Sequence, residues 1–279
     1  MSKMKRSAII ISASSDIGAA MCARWKSNGW KVYGTYRTKS PTTEALAKTG
    51  VKLVFCDLAD VASVRDSCSQ LRKLCSLWDA LVMCPGTQDP VGPFSDCSFD
   101  EWEESLKVNF GSQLRIVHHL LPARNVKGTF EPIVLLFAGG GTNSAPQNYS
   151  AYTISKVALI KMCELLDAEV PDTRFAIVGP GWVKTKIHEA TLRAGAKAGA
   201  NYERTKNKLA GDECTPMEDV LDCCDWVVNT TRRSIGGRNI SVVFDRWGDK
   251  KLEKMLAENP DMYKLRRHGN DWLVKNGRK

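Results

Sequence analysis

The sequence predicts an α/β fold: a doubly wound, Rossmann-like parallel sheet of seven strands flanked by helices, in a single domain with a C-terminal extension. Two observations carry this. Apolar runs rich in β-branched residues, at 8–13, 31–36, 51–55, 80–84, 133–138, 175–178 and 240–244, alternate with segments of helical length at 17–28, 62–74, 101–121, 155–169 and 217–228. The runs are also continuous rather than alternating, the pattern of strands covered by helices on both faces. In such a sheet ligands bind beyond the carboxyl ends of the strands, so the residues just after each run are where chemistry is expected. A polar stretch at 186–212 interrupts the alternation and is predicted to be a long loop or lid. A further helix is predicted at 250–258 within a basic tail.

At 279 residues and 43% apolar, the chain is long enough to bury a full core. Lys3, Lys5 and Arg6 precede an apolar run of only four residues, Ala8 to Ile11, too short for a secretion signal. Nothing approaches the roughly 18 consecutive apolar residues of a membrane helix, so a soluble, cytoplasmic protein without a membrane partner is expected. Ten cysteines include no C-x-x-C pair, and several, among them Cys22, Cys56, Cys84 and Cys163, sit in apolar runs where a thiol acts as a small hydrophobe. With His118 and His119 adjacent inside a helical stretch, no metal-ligand spacing emerges, and no metal is expected.

The net charge is +9, and its placement matters more than its size. Residues 184–208 carry seven Lys/Arg (Lys184, Lys186, Arg193, Lys197, Arg204, Lys206 and Lys208) against two Glu, and residues 246–279 carry ten against five acids. A basic loop and a basic tail suit a small anionic substrate or a solvated surface better than a face that tracks a nucleic-acid duplex.

Three segments bear chemistry. The first strand runs through Ser12, Ala13, Ser14, Ser15, Asp16, Ile17 and Gly18 into a helix. Small residues there let the backbone approach a pyrophosphate at a helix N-terminus, while Ser14 or Ser15 could equally be an ordinary N-cap. The second strand ends in Tyr36-Arg37 with no acid to hold a ribose 2'-hydroxyl, and an Arg can pair with a 2'-phosphate, which favours NADP; a solvated Arg is the plain alternative. Tyr152 and Lys156 stand four residues apart at the start of a helical segment, on one face. A lysine at that offset is expected to stabilise a phenolate and to lower the tyrosine pKa.

Taken with Asp57-Leu58 after the third strand, Asn109 in a long helix and Pro180-Gly181-Trp182-Val183-Lys184-Thr185 after the sixth strand, these segments resemble the short-chain dehydrogenase/reductase family over about residues 6–245. The resemblance implies NADP(H)-dependent hydride transfer to or from a carbonyl or alcohol. Residues 1–245 would be the dinucleotide-binding and catalytic domain, 184–214 the substrate loop or lid, and 246–279 an added basic extension. By resemblance Tyr152 passes the proton, Lys156 holds the nicotinamide ribose, and Asn109 bends its helix and anchors a relay water. Asp57 and Leu58 hold the adenine, although Asp57 also reads as a cap for the next helix. Pro180, Gly181, Val183 and Thr185 line the nicotinamide, with Gly86 beside them, and a homodimer or homotetramer is expected.

The chain departs from the family pattern in three places. Ser12 and Asp16 stand where glycines are usual, and Met83-Cys84-Pro85-Gly86 replaces Asn-Asn-Ala-Gly, so an Asn brace across the sheet is lost. Gly139 stands thirteen residues before Tyr152, where the substrate-orienting serine is expected. A hydroxyl there contributes about 2 to 4 kcal/mol if it acts as other oxyanion donors do. Thr142, Ser144 or backbone N–H groups of the glycine run could replace it, or the glycines could make room for a bulky substrate. An activated or phosphorylated sugar is the favoured substrate. Alternatives are a sugar epimerase or dehydratase that retains NADP, and an NADP-binding sensor or assembly protein without catalysis. Nucleic-acid binding by Tyr263, Arg266, Arg267, His268 and Trp272 is the weakest reading.

Overall fold

The computed structural model describes residues 5–268. Lys3, Trp272 and residues 269–279 of the predicted extension lie outside the described residues. The seven strands are β1 (Ser7–Ile11), β2 (Lys31–Tyr36), β3 (Lys52–Phe55), β4 (Ala80–Met83), β5 (Ile133–Phe137), β6 (Arg174–Gly179) and β7 (Asn239–Ser241). They pair in the order β3-β2-β1-β4-β5-β6-β7, each neighbour parallel. The chain turns one way from β1 to β2 and β3, then crosses back to place β4 on the other side of β1. That reversal leaves a crevice beyond the carboxyl ends of β1 and β4.

Both faces are covered, which is why the strands read as continuous runs. Ala8 and Ile10 of β1 pack with α1 (Asp16–Ser27) and α9 (Met217–Asn229), whereas Ile9 and Ile11 pack with α3 (Val61–Leu74), α5 (Ser112–Leu120) and α6 (Ser150–Glu169). The sequence segment at 101–121 is not one helix. It divides into α4 (Phe99–Leu106), a π-helical turn at Lys107–Gly111 and α5. A short helix that the apolar pattern does not reveal, α2 (Pro41–Lys48), is started by Ser40, whose hydroxyl accepts from the Thr43 N–H while the Thr43 hydroxyl accepts from the Ser40 N–H, with Pro41 following.

Two sequence expectations are corrected. The run at 240–244 is not a strand to its end: β7 stops at Ser241, whose N–H donates to the Asp245 carboxylate at 2.7 Å, and Phe244 is 87% exposed. The stretch at 186–212 is not irregular. It forms α7 (Glu189–Ala194) and α8 (Ala200–Ala210), joined by a 3-10 turn at Gly195–Ala198. Its alternating polar residues conceal helices too short and too exposed to show a periodic apolar face.

The segment after α9 is docked onto the sheet. α10 (Arg232–Ile235) leads into β7, and α11 (Lys250–Glu258) follows it. The buried Arg238 guanidinium donates to the carbonyls of Leu256 at 2.6 Å, Asn259 at 3.0 Å and Met262 at 3.1 Å. These are charge-assisted bonds made away from water, and removing the cation leaves several buried acceptors unpaired. Arg238→Leu is therefore expected to cost about 1 to 3 kcal/mol, as a buried acceptor left unpaired does. Limited proteolysis should then cut first between residues 246 and 268. An unchanged melting temperature and digestion pattern would show that α11 is held by its apolar contacts alone.

Candidate active site

A large cleft of about 2380 Å³ runs across the carboxyl ends of β1, β2, β4, β5 and β6, lined among others by Ser12, Ser14, Ser15, Asp16, Ile17, Arg37, Asp57, Leu58 and Gly86. The same cleft is lined by Gly139, Thr142, Ser144, Tyr152, Lys156, Pro180, Gly181, Val183 and Thr185. Of the predicted site residues, Gly18 and Asn109 do not line it but stand behind it.

At the first turn, Ser15 is the N-cap of α1 and its hydroxyl accepts from the Gly18 N–H at 3.2 Å. The turn is tight: a Cβ on Gly18 would lie 2.4 Å from the Ser12 carbonyl oxygen, so only glycine fits. Ser12 adopts φ +58°, the left-handed region that a glycine would occupy without penalty. Asp16 accepts the backbone N–H of Lys186 at 2.8 Å, tying this turn to the start of the 186–212 segment. At the end of β2, Arg37 is exposed, with Tyr36 packed edge-on against Phe55. Asp57 is not a helix cap; its carboxylate accepts from the Ala59 N–H, and Asp60 caps α3. Leu58 is buried, and its carbonyl accepts from the Ser112 hydroxyl at 2.6 Å.

Tyr152 sits in the first turn of α6, and Lys156 is one turn further on, only 3% exposed. The Lys156 ammonium donates to the carbonyls of Pro85 and Phe137, both at 3.2 Å, and lies 5.8 Å from the centre of the Tyr152 ring. The expected lowering of the tyrosine pKa is not what the site produces. Burial pushes the Tyr152 phenol up to about 12 and Lys156 down to about 8, because desolvation penalises the charged form of each. At neutral pH the pair is therefore a phenol beside an ammonium.

Asn109 is fully buried within the π-helical turn. Its carboxamide accepts from the Thr87 N–H and donates to the Thr87 carbonyl, both at 2.8 Å, so it braces the segment after β4 from the helix side. Its main-chain carbonyl accepts from the Gln113 carboxamide at 2.6 Å.

Gly139 has a structural reason. A Cβ there would lie 2.7 Å from the Tyr152 hydroxyl oxygen and 2.9 Å from both the Tyr152 ring and Lys156 Cγ. The space where a residue-139 side chain would stand is taken by the tyrosine itself. Thr142 is partly buried and Ser144 exposed on the glycine-rich loop above.

The 186–212 segment is tied to the rest of the site by residues that sequence motifs do not mark. Tyr149 and Thr191 join hydroxyl to hydroxyl at 2.7 Å, and the Thr191 hydroxyl lies 3.0 Å from Gln88 Oε1. Arg193 pairs with Asp89 at 2.9 Å. Of the seven basic residues at 184–208, Lys186, Arg193, Lys197, Arg204 and Lys208 line the cleft, whereas Lys184 and Lys206 do not. Asp96, Glu101 and Glu104 line it too, so its mouth carries both signs of charge.

The short chain dehydrogenase family model matches residues 6–195. Serine 3-dehydrogenase of Rhizobium radiobacter is 24% identical over 230 residues, spanning 81% of this chain and 89% of that protein. A short-chain dehydrogenase/reductase of Saccharomyces cerevisiae superposes with a TM-score of 0.74 at 18% identity, covering 88% of this chain and 98% of the other. A short chain dehydrogenase of Burkholderia cenocepacia in complex with NADP gives 0.70 at 23%, covering 85% and 95%.

Two substitutions test the site's packing. Gly139→Ser restores the hydroxyl but overfills the space against Tyr152, and is expected to cost about 1 to 3 kcal/mol, read as a lower melting temperature. Ser12→Gly relieves a left-handed residue at about 1 to 2 kcal/mol, partly offset by a freer unfolded chain, so it should melt higher. Reversal of either sign by differential scanning calorimetry counts against the corresponding contact.

Proposed function

The chain belongs to the short-chain dehydrogenase family, oxidoreductases that act on CH–OH or C=O groups with a nicotinamide cofactor, and we propose that it uses NADP(H) on a small polar, anionic substrate such as an activated or phosphorylated sugar. The observation that carries this reading is the placement of Tyr152 and a buried Lys156 on the floor of a cleft continuous with the tight turn into α1. We propose a homodimer or homotetramer as the working form, in keeping with the family.

The residues present fit a dinucleotide. The tight turn that only glycine at 18 permits brings Ser14, Ser15 and the N-terminus of α1 to the cleft wall, where an anion would sit. Arg37, at the end of β2 and on the cleft wall, offers a fork for a 2'-phosphate, and no acid at Tyr36 or Arg37 opposes it. Asp57 and Leu58 border the adenine end, and Pro180, Gly181, Val183 and Thr185 the nicotinamide end.

The bound nicotinamide supplies or accepts the hydride. Tyr152, a phenol at neutral pH, gives its proton to the oxygen of a carbonyl as it is reduced, or receives one from an alcohol as it is oxidised. Lys156 stabilises the phenolate left behind, and its place between the Pro85 and Phe137 carbonyls fixes the ammonium one helical turn from the phenol. Asn109 holds the Thr87 backbone, and through it the loop that Lys156 rests on. With no side chain at position 139, the reacting oxygen takes its second hydrogen bond from the glycine-rich loop, where Thr142 and Ser144 are the side-chain donors.

Lys197 and Arg204 line the cleft without an ion pair among the described residues, which supports an anionic substrate group. A second reading draws on the acidic wall of Asp96, Glu101 and Glu104 and on the relative named serine 3-dehydrogenase: a hydroxy amino acid whose ammonium faces that wall.

Titration of NADPH and NADH by fluorescence, with Arg37→Ala alongside, checks the cofactor. NADPH is expected to bind at least about tenfold more tightly, a difference of about 1.4 kcal/mol, and Arg37→Ala should erase that preference. Equal affinities in the wild type would overturn the NADP assignment. The rate of carbonyl reduction supplies a further check. Lys156 is charged below about 8 and neutral above it. Activity should therefore be full on the acid side and fall as pH rises through about 8, while Tyr152, titrating near 12, adds no limb in that range. A limb placed instead near the ordinary lysine value of about 10.4 would remove Lys156 from this role.

A further inference from the structure

Gln113, in the first turn of α5, is fully buried and belongs to no motif that the sequence presents. Its amide nitrogen donates to the Asn109 carbonyl at 2.6 Å and reaches the Pro85 carbonyl at 3.4 Å. Both partners are carbonyl oxygens, so the nitrogen must face them. The amide oxygen then points elsewhere, buried and met by no protein donor among the described residues. A buried unpaired acceptor costs about 1 to 3 kcal/mol. Leucine or methionine would fill the same volume without that cost, so packing alone does not account for a glutamine here.

The Pro85 carbonyl that Gln113 approaches is the one that accepts from Lys156 at 3.2 Å. One carbonyl thus lies between an uncharged amide and a buried ammonium. We propose that Gln113 is a positioning residue for Lys156: its carboxamide seats the Pro85 carbonyl beneath the ammonium and fills the place from which water would otherwise solvate it. This rests on the catalytic role given above to Lys156. The titratable groups that face the ammonium are Tyr152, on its own helix, and Cys84, at the end of β4; no carboxylate pairs with it among the described residues. Its low pKa is thus a matter of burial, which makes the ammonium sensitive to a single added water.

Two variants separate water exclusion from packing. Gln113→Ser keeps the fold, because a serine hydroxyl can bond the carbonyl four residues back, here that of Asn109; the volume it vacates is polar and takes water. Gln113→Met fills the space and keeps it dry. The Lys156 side chain is titrated by NMR in lysine-labelled protein without cofactor or substrate, its signal assigned by its loss in Lys156→Met. The wild-type midpoint is expected near 8. Gln113→Ser should raise it by about one pH unit or more, with Gln113→Met staying close to the wild type. A Gln113→Ser midpoint equal to the wild type overturns the proposal, and so does a Gln113→Met shift as large as that of Gln113→Ser, since the added water would then contribute nothing. Because the titration needs no turnover, its outcome is independent of whether an NADP-dependent reaction is found.

Discussion

A parallel sheet buried on both faces has no polar surface of its own, and everything else in this protein follows from that constraint. Where helices cover them the strands hold mainly apolar side chains, and the ligand-binding crevice lies beyond their carboxyl ends. The reversal of strand order at β1 and β4 opens one crevice there. The turn into α1, the start of α6 and the segment after β6 then converge on it.

At the centre of that crevice, a cation without a carboxylate partner has been buried by surrounding it with carbonyl groups. Pro85 and Phe137 receive the Lys156 ammonium. The loop carrying Pro85 is held from behind by Asn109 through the Thr87 backbone. The loop has Met83, Cys84 and Pro85 where the family pattern has asparagines and an alanine, and in this chain Asn109 of the π-helical turn braces it through Thr87.

The sheet, its two covered faces, the turn into α1 and the Tyr152/Lys156 pair were legible in the sequence because each rests on local spacing or on continuous apolar runs. What escaped depended on tertiary context. α2 is fixed by a hydrogen-bonded cap, α7 and α8 are too short and polar to show a period, and the end of β7 is set by the Asp245 carboxylate. At the site, Gly139 read as a missing hydroxyl, whereas the structure shows a position that the Tyr152 ring has claimed. The sense of the tyrosine shift was also inverted, because spacing reveals a neighbouring charge but not the desolvation that outweighs it.

The latch between Tyr149, Thr191 and Gln88 is made wholly of uncharged hydroxyl and amide groups. Dissolved ions screen charges separated by water, but they leave a short bond between neutral groups almost untouched. The Arg193–Asp89 pair beside it, exposed on both sides, is of the opposite kind. The 186–212 segment thus carries one contact that ionic strength weakens and another that it does not, so concentrated salt loosens the exposed ion pair first and leaves the hydroxyl contact in place.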